Sequence, residues 1–224
     1  MGSKNKLKRF NEIKTFSNVI EPSREEVLNG FKLKGAWSTH FNNDHPIHLE
    51  LGCGKGEYTI ELARQHPAIN FIGIDIKGAR FWKGAKIAIE ENLTNVAFVR
   101  TQIELIEHVF AENEVGEIWI TFPDPQIKFK RMKHRLTNPE FLKKYQQILN
   151  PDGIVHLKTD SEFLHGYTLG LLQAGNHRIL YAHHDIYSNH LSPVEATSVQ
   201  TFYEKQFLEV NKPITYLKFQ TNYE

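Results

Sequence analysis

Phe122-Pro123-Asp124-Pro125 sets one carboxylate between two prolines. Residues 126–135 then carry Lys128, Lys130, Arg131, Lys133 and Arg135 with no acid among them. Each proline ring fixes φ and restricts the residue before it, so the backbone at Asp124 is stiff. A carboxylate held this way accepts hydrogen bonds in a fixed direction. The cations behind it suit a polyanion, with phosphates as the obvious ligand. Phe129, between Lys128 and Lys130, either stacks on a base or anchors the loop by burial.

A second cluster lies upstream. Glu50-Leu51-Gly52-Cys53-Gly54-Lys55-Gly56 reads as a strand entering a G-x-G-x-G turn. Glycines let a ligand approach the backbone where a Cβ would block it. A dinucleotide site wants G-x-G-x-x-G with pyrophosphate at the helix start. Here the third glycine, Gly56, comes one residue early, and Glu50 would repel a diphosphate. That acid suits a cationic ligand, and S-adenosylmethionine carries a sulfonium and an ammonium but no phosphate. Asp75 closes Phe71-Ile72-Gly73-Ile74-Asp75 and can accept both hydroxyls of a ribose, or cap the next helix. Gln102 can read an adenine edge through its amide or simply start a helix. Cys53 reads as a small filler. His183-His184-Asp185 does not read as a metal site, because neighbours on a strand face opposite ways. No metal is expected.

The charge is uneven. The chain has 224 residues, 27 Lys plus Arg, 26 Asp plus Glu and one Cys, for a formal net charge of +1. Residues 1–14 carry Lys4, Lys6, Lys8, Arg9 and Lys14 against Glu12, so the remaining body is acidic once both basic segments are set aside. An acidic body with two basic patches fits an enzyme that handles a polyanion. One cysteine forms no internal disulfide, and no apolar run approaches the length of a membrane span. The expectation is a cytoplasmic protein with no membrane association.

These residues need a scaffold. Residues 1–45 are polar and irregular and read as a basic arm, partly flexible, ahead of a domain over 46–224. From Ile47 onward, strands at 47–51, 70–75, 96–99, 118–122 and 153–159 alternate with helices at 57–66, 79–91, 103–110, 139–149 and 162–173. Such alternation means parallel βαβ units with helices on both faces. Strands at 178–182 and 215–219 complete seven, as an antiparallel pair at one edge. The expected fold is α/β: a doubly wound, mostly parallel seven-stranded sheet. Ligands of such sheets bind beyond the carboxyl ends of the strands, where Glu50, Asp75, Gln102 and Asp124 all fall.

The acid-G-x-G-x-G loop, the Gly73-Ile74-Asp75 strand end, Phe122-Pro123-Asp124-Pro125 with its basic run, Leu157-Lys158-Thr159-Asp160 and Thr201-Phe202-Tyr203-Glu204 together resemble the bacterial tRNA (guanine-N7-)-methyltransferase family. The resemblance covers roughly residues 47–204. It implies the Rossmann-like class I methyltransferase fold and methyl transfer from S-adenosylmethionine to N7 of a variable-loop guanine, conventional position 46 of tRNA. It implies cofactor contacts at Glu50, Gly52, Gly54, Gly56, Asp75, Gln102 and Asp124, with Asp124 also catalytic. Lys128, Asp160, Thr201, Phe202, Tyr203 and Glu204 would touch substrate, and Lys130, Arg131, Lys133 and Arg135 would meet phosphates. The partner would be tRNA, and the chain a monomer or homodimer. Gln126 and Gln206 depart from the family's usual Trp and Arg. An adenine amino-group methyltransferase is the alternative, although Pro125-Gln126 lacks the second proline and the aromatic of that motif. An NAD-dependent oxidoreductase is a further one, against which Glu50 and the glycine spacing argue.

Overall fold

The computed structural model describes residues 3–222; the extreme ends of both expected segments, and the side chains of Lys4 and Lys6, lie outside the described residues. One sheet holds β1 (Val19–Ile20), β2 (Ile47–Leu51), β3 (Asn70–Ile74), β4 (Val96–Val99), β5 (Val115–Thr121), β6 (Leu149–Thr159), β7 (Arg178–His183) and β8 (Thr215–Gln220). Their spatial order is β1-β4-β3-β2-β5-β6-β8-β7. All neighbours pair parallel from β1 through β6, and β8 runs antiparallel to both β6 and β7. Strand order reverses between β2 and β5, which opens a crevice at their carboxyl ends.

The sequence accounts for both faces of the sheet. Successive strand residues point to opposite sides. Leu49 and Leu51 of β2 and Ile118 and Ile120 of β5 therefore join one apolar layer, with Phe141 and Tyr145 of α7 (Pro139–Ile148). Phe71, Phe98 and Trp119 point the other way and pack with Tyr58, Ile60 and Leu62 of α4 (Glu57–Gln65) and Phe81 of α5 (Gly78–Glu90). Glu50 and Thr121 share this second face, so a carboxylate and a hydroxyl sit side by side beneath α4.

The sheet has eight strands where seven were expected. The added strand, β1, pairs Val19 with Phe98 and Ile20 with Val99; two residues are too few to show an alternation. The segment read as a partly flexible arm is packed here. It forms α1 (Ser3–Ile13), α2 (Arg24–Gly30) and α3 (Trp37–Phe41). Ile13, Val27, Trp37 and Phe41 are buried. Ser23 and Glu26 form a capping box at the start of α2, a serine-x-x-glutamate signature visible within the segment read as irregular. Arg9 of the basic arm lies 4.8 Å over the Trp82 ring, and Glu12 accepts from the Trp82 indole N–H at 2.9 Å. Among the described residues, no helix is long and apolar enough to cross a membrane.

Candidate active site

Glu50, next to last in β2, is almost wholly buried. Its Oε2 accepts from the Thr59 backbone N–H at 2.9 Å and from the Thr59 hydroxyl, while Oε1 accepts from the Thr121 hydroxyl at 2.7 Å. Burial pushes its carboxyl up to about 7, against the lowering pull of those hydrogen bonds. Glu50 forms the floor of a cavity of about 130 Å³, walled by Gly52, Cys53, Gly54, Lys55, Glu57, Tyr58, Arg80, Thr121, Phe122, Thr201 and Tyr203.

The glycine loop orients the next acid. Asp75 Oδ2 accepts from the Gly54 N–H at 3.2 Å and Oδ1 from the Lys77 N–H at 2.8 Å. Gly56 starts α4 at φ 74°, and a Cβ there would lie 2.7 Å from the Phe98 ring. Glycine is therefore required on two counts. Cys53 is buried, and burial pushes its thiol well up, as a filler's should be. Gln102 accepts through its side-chain oxygen from Arg24 of α2, so the packed N-terminal segment reaches this edge of the crevice.

At the end of β5 the backbone takes an unusual path. Phe122 has φ 47° and Gln126 has φ 46°, so two non-glycine residues in left-handed conformation bracket Pro123-Asp124-Pro125. For a bulky residue such as Phe122 this is strained backbone. The Phe122 N–H donates to the Lys158 carbonyl at 2.8 Å, and its ring lies 6.1 Å from that of Phe207. Asp124 is exposed, and its Oδ1 accepts from the Gln126 N–H at 3.1 Å. Asp124 does not line the Glu50 cavity, whereas Phe122, two residues earlier, does.

Arg135, expected to face phosphate, points inward instead. It is 5% exposed. Its guanidinium donates to the Gln126 carbonyl at 3.1 and 3.2 Å and to the Ile127 carbonyl at 3.3 Å. It also lies 4.8 Å over Phe163 and 4.3 Å over Tyr167, both on α8 (Glu162–Ala174). Arg is suited to this, since one planar fork can donate and stack together. Lys128, Lys130, Arg131 and Lys133 remain exposed.

Residues 44–217 match a family model described as "Putative methyltransferase". Over 98% of its length the chain is 71% identical to the tRNA (guanine-N(7)-)-methyltransferase of Christiangramia forsetii, covering 99% of that relative. The chain belongs to the tRNA (guanine-N(7)-)-methyltransferase family. The Porphyromonas gingivalis member is 50% identical over 92% of this chain and 86% of its own. Among solved structures, the 16S rRNA methyltransferase KamB superposes with a TM-score of 0.62 at 14% identity, over 83% of this chain and 92% of its own. A 30S ribosomal A1408 methyltransferase from an uncultured bacterium gives 0.57 at 17% identity, over 84% and 93%. At these identities the likeness is one of fold, and it matches the doubly wound sheet expected of a class I methyltransferase.

The methyltransferase's T-x-x-E stretch divides in two. Thr201 caps α10 (Phe202–Glu209), its hydroxyl accepting from the Glu204 N–H at 3.3 Å, and Glu204 returns the bond to complete a capping box. Glu204 is fully buried: Lys158 Nζ lies 2.6 Å from Oε1, and the Tyr187 hydroxyl donates to the same oxygen at 2.7 Å. Burial pushes the Lys158 ammonium down, opposed by the Glu204 charge. In this structure Glu204 thus holds α10 in place from a buried position. Phe202 and Tyr203 are exposed, and Lys55 Nζ lies 4.6 and 5.2 Å from their ring centres. The Phe202 N–H donates to Glu57 at 3.0 Å, so α10 is tied directly to the first turn of α4. Asp160 pairs with Lys212, and Ser161 caps α8.

Several contributors escaped sequence reasoning: Thr59 and Thr121 around Glu50, Arg80 and Tyr58 on the cavity wall, and the Lys158–Glu204 pair. Thr59 follows the glycine loop by one helical turn, which was the only local signal. The histidine pair also differs from expectation. β7 ends at His183, so His184 leaves the strand alternation and the two rings stack 5.0 Å apart. Among the described residues, no group of three or more His, Cys, Asp or Glu is placed to hold a metal ion.

Proposed function

We propose that this chain transfers a methyl group from S-adenosylmethionine to N7 of a guanine in the variable loop of tRNA, with Asp124 holding the base. The observation that carries the reading is the Asp124 turn: an exposed carboxylate, locked between two left-handed residues, at the strand end beside the Glu50 cavity. The residues present fit the cofactor. Glu50 offers a buried acid to its ammonium, Asp75 a carboxylate to its ribose, and the loop at Gly54 and Gly56 a close backbone approach. When bound, S-adenosylmethionine supplies an electrophilic methyl on a positively charged sulfur.

Guanine N7 has a free lone pair and needs no base to deprotonate it. Transfer moves positive charge from sulfur to the purine, so the protein's task is chiefly alignment. Asp124 accepts hydrogen bonds from the guanine N1–H and exocyclic amine, which fixes the ring in plane. Its negative charge also favours the purinium that forms. Arg135 acts on Asp124 at one remove, by pinning the carbonyl of Gln126. Lys128, Lys130, Arg131 and Lys133 attract the RNA backbone without reading its sequence.

Incubation with labelled cofactor and unmodified tRNA, followed by chemical cleavage at 7-methylguanosine, tests the reaction and its position. Asp124→Asn tests the role: turnover should fall at least a hundredfold, an oxyanion-type loss, while tRNA affinity is largely kept. Equal loss of both would contradict it.

A further inference from the structure

Phe129 is 81% exposed, and Ile127, two residues before it, is 65% exposed. Both stand on a short stretch held from beneath. Phe129 opens the 3-10 turn Phe129–His134, and the buried Arg135 ties the far end of that turn to the carbonyls of Gln126 and Ile127. The ring is thus presented outward by a fixed loop and is not the buried anchor that the sequence also allowed. The cations interleaved with it are exposed as well. Lys128, Lys130, Arg131 and Lys133 have no carboxylate partner among the described residues. Four neighbouring cations repel one another until an anion arrives, and an exposed aromatic ring among them offers a π-face at no further cost of exposure.

We propose that Phe129 is a stacking platform for an unpaired base of the tRNA, with the cations around it holding the flanking phosphates. This rests on the reading of tRNA as substrate. Phe129 lies five positions beyond Asp124, a span of at most about 18 Å of extended chain. One RNA strand can therefore meet both, the reacting guanine at Asp124 and a nearby unpaired base at Phe129. Stacking tolerates any base and contributes affinity without reading sequence.

The test is a series at one position, Phe129→Ala, Phe129→Leu and Phe129→Trp, read by the dissociation constant for unmodified tRNA and by the KM for tRNA in methylation. Ala and Leu should each weaken binding about tenfold, within the range of losing one base–aromatic stack. KM should rise by more than kcat falls. Trp should bind as wild type or tighter. No charge is lost, so the slope of log Kd against log salt should stay the same in all three. Affinity for S-adenosylhomocysteine reports whether the domain is intact. An unaltered tRNA affinity in Phe129→Ala overturns the proposal, as does Phe129→Leu binding like wild type, because an apolar contact would then suffice. A change confined to self-association in sedimentation also overturns it, by showing the ring to be a contact between copies. Wild-type protein that binds tRNA but leaves N7 unmethylated refutes the proposed function, while the Kd series still decides Phe129.

Discussion

Replacing Glu50 by glutamine should stabilise the ligand-free protein at pH 8 and leave it unchanged near pH 4. Glutamine keeps the shape of the side chain. Its oxygen can accept from Thr59, and its amide can donate to the Thr121 hydroxyl, which rotates to receive it. Burial raises the Glu50 carboxyl from 4.5 to about 7 in the folded state. The fold therefore holds this proton more tightly than the unfolded chain does. The associated stability is fully present below pH 4.5 and is lost as pH rises through 7. The loss is about 3 kcal/mol by pH 8, at about 1.36 kcal/mol for each pH unit between the two values. For a chain of this size that corresponds to about 6–12 °C in Tm. Melting curves of wild type and Glu50→Gln from pH 4 to 8 give the comparison. Repeating them with saturating S-adenosylhomocysteine should narrow or reverse the gap at pH 8, because the ligand's ammonium compensates an ionised Glu50 and has nothing comparable to meet in glutamine. A variant less stable than wild type at pH 8, or a gap that is the same at pH 4 and pH 8, would refute the reasoning.

Glu204→Gln removes the partner of a buried ammonium and should cost about 3–5 kcal/mol in denaturant unfolding at pH 7. The loss should shrink at pH 10, where Lys158, whose burial favours the neutral amine, can shed its proton. Salt titration of tRNA binding separates the cations: Lys130→Ala should lower the slope of log Kd on log salt by about 0.7–0.9. Arg135→Ala should leave that slope alone and instead reduce kcat by loosening the Asp124 turn.

The strands from Ile47 onward were legible because a sheet buried on both faces writes itself as short, nearly continuous apolar runs between turn signals. Of the edge pair, β8 was legible for the same reason, whereas β7 has no fully buried residue and showed only as a short apolar run at Ile179-Leu180-Tyr181-Ala182. Residues 1–45 were not: each of their elements is short, and their apolar contacts, such as Trp37 stacking on Phe110 at 5.4 Å, are made with residues far along the chain. The strand-end acids could be located from sequence, since the fold class itself says where ligands bind. Which cation of the basic run turns inward could not be read from the run alone. The signal lay instead on α8, where Phe163 and Tyr167, one turn apart, offer a guanidinium two rings. Likewise, Thr201 and Glu204 spell a capping box as legibly as a substrate motif, and the ion pair that Glu204 makes in the interior comes from the distant Lys158.

Phe122 and Gln126 occupy backbone space that glycine enters freely, yet neither is glycine. Holding a bulky side chain there costs of the order of 1–3 kcal/mol per residue, and glycine would release it together with the ring's contact to Phe207. Accuracy in presenting Asp124 is thus drawn from the robustness of the fold. Laboratory selection for heat resistance alone would drift toward glycine at Gln126, where no ring contact is forfeited, and would blunt the enzyme while toughening it.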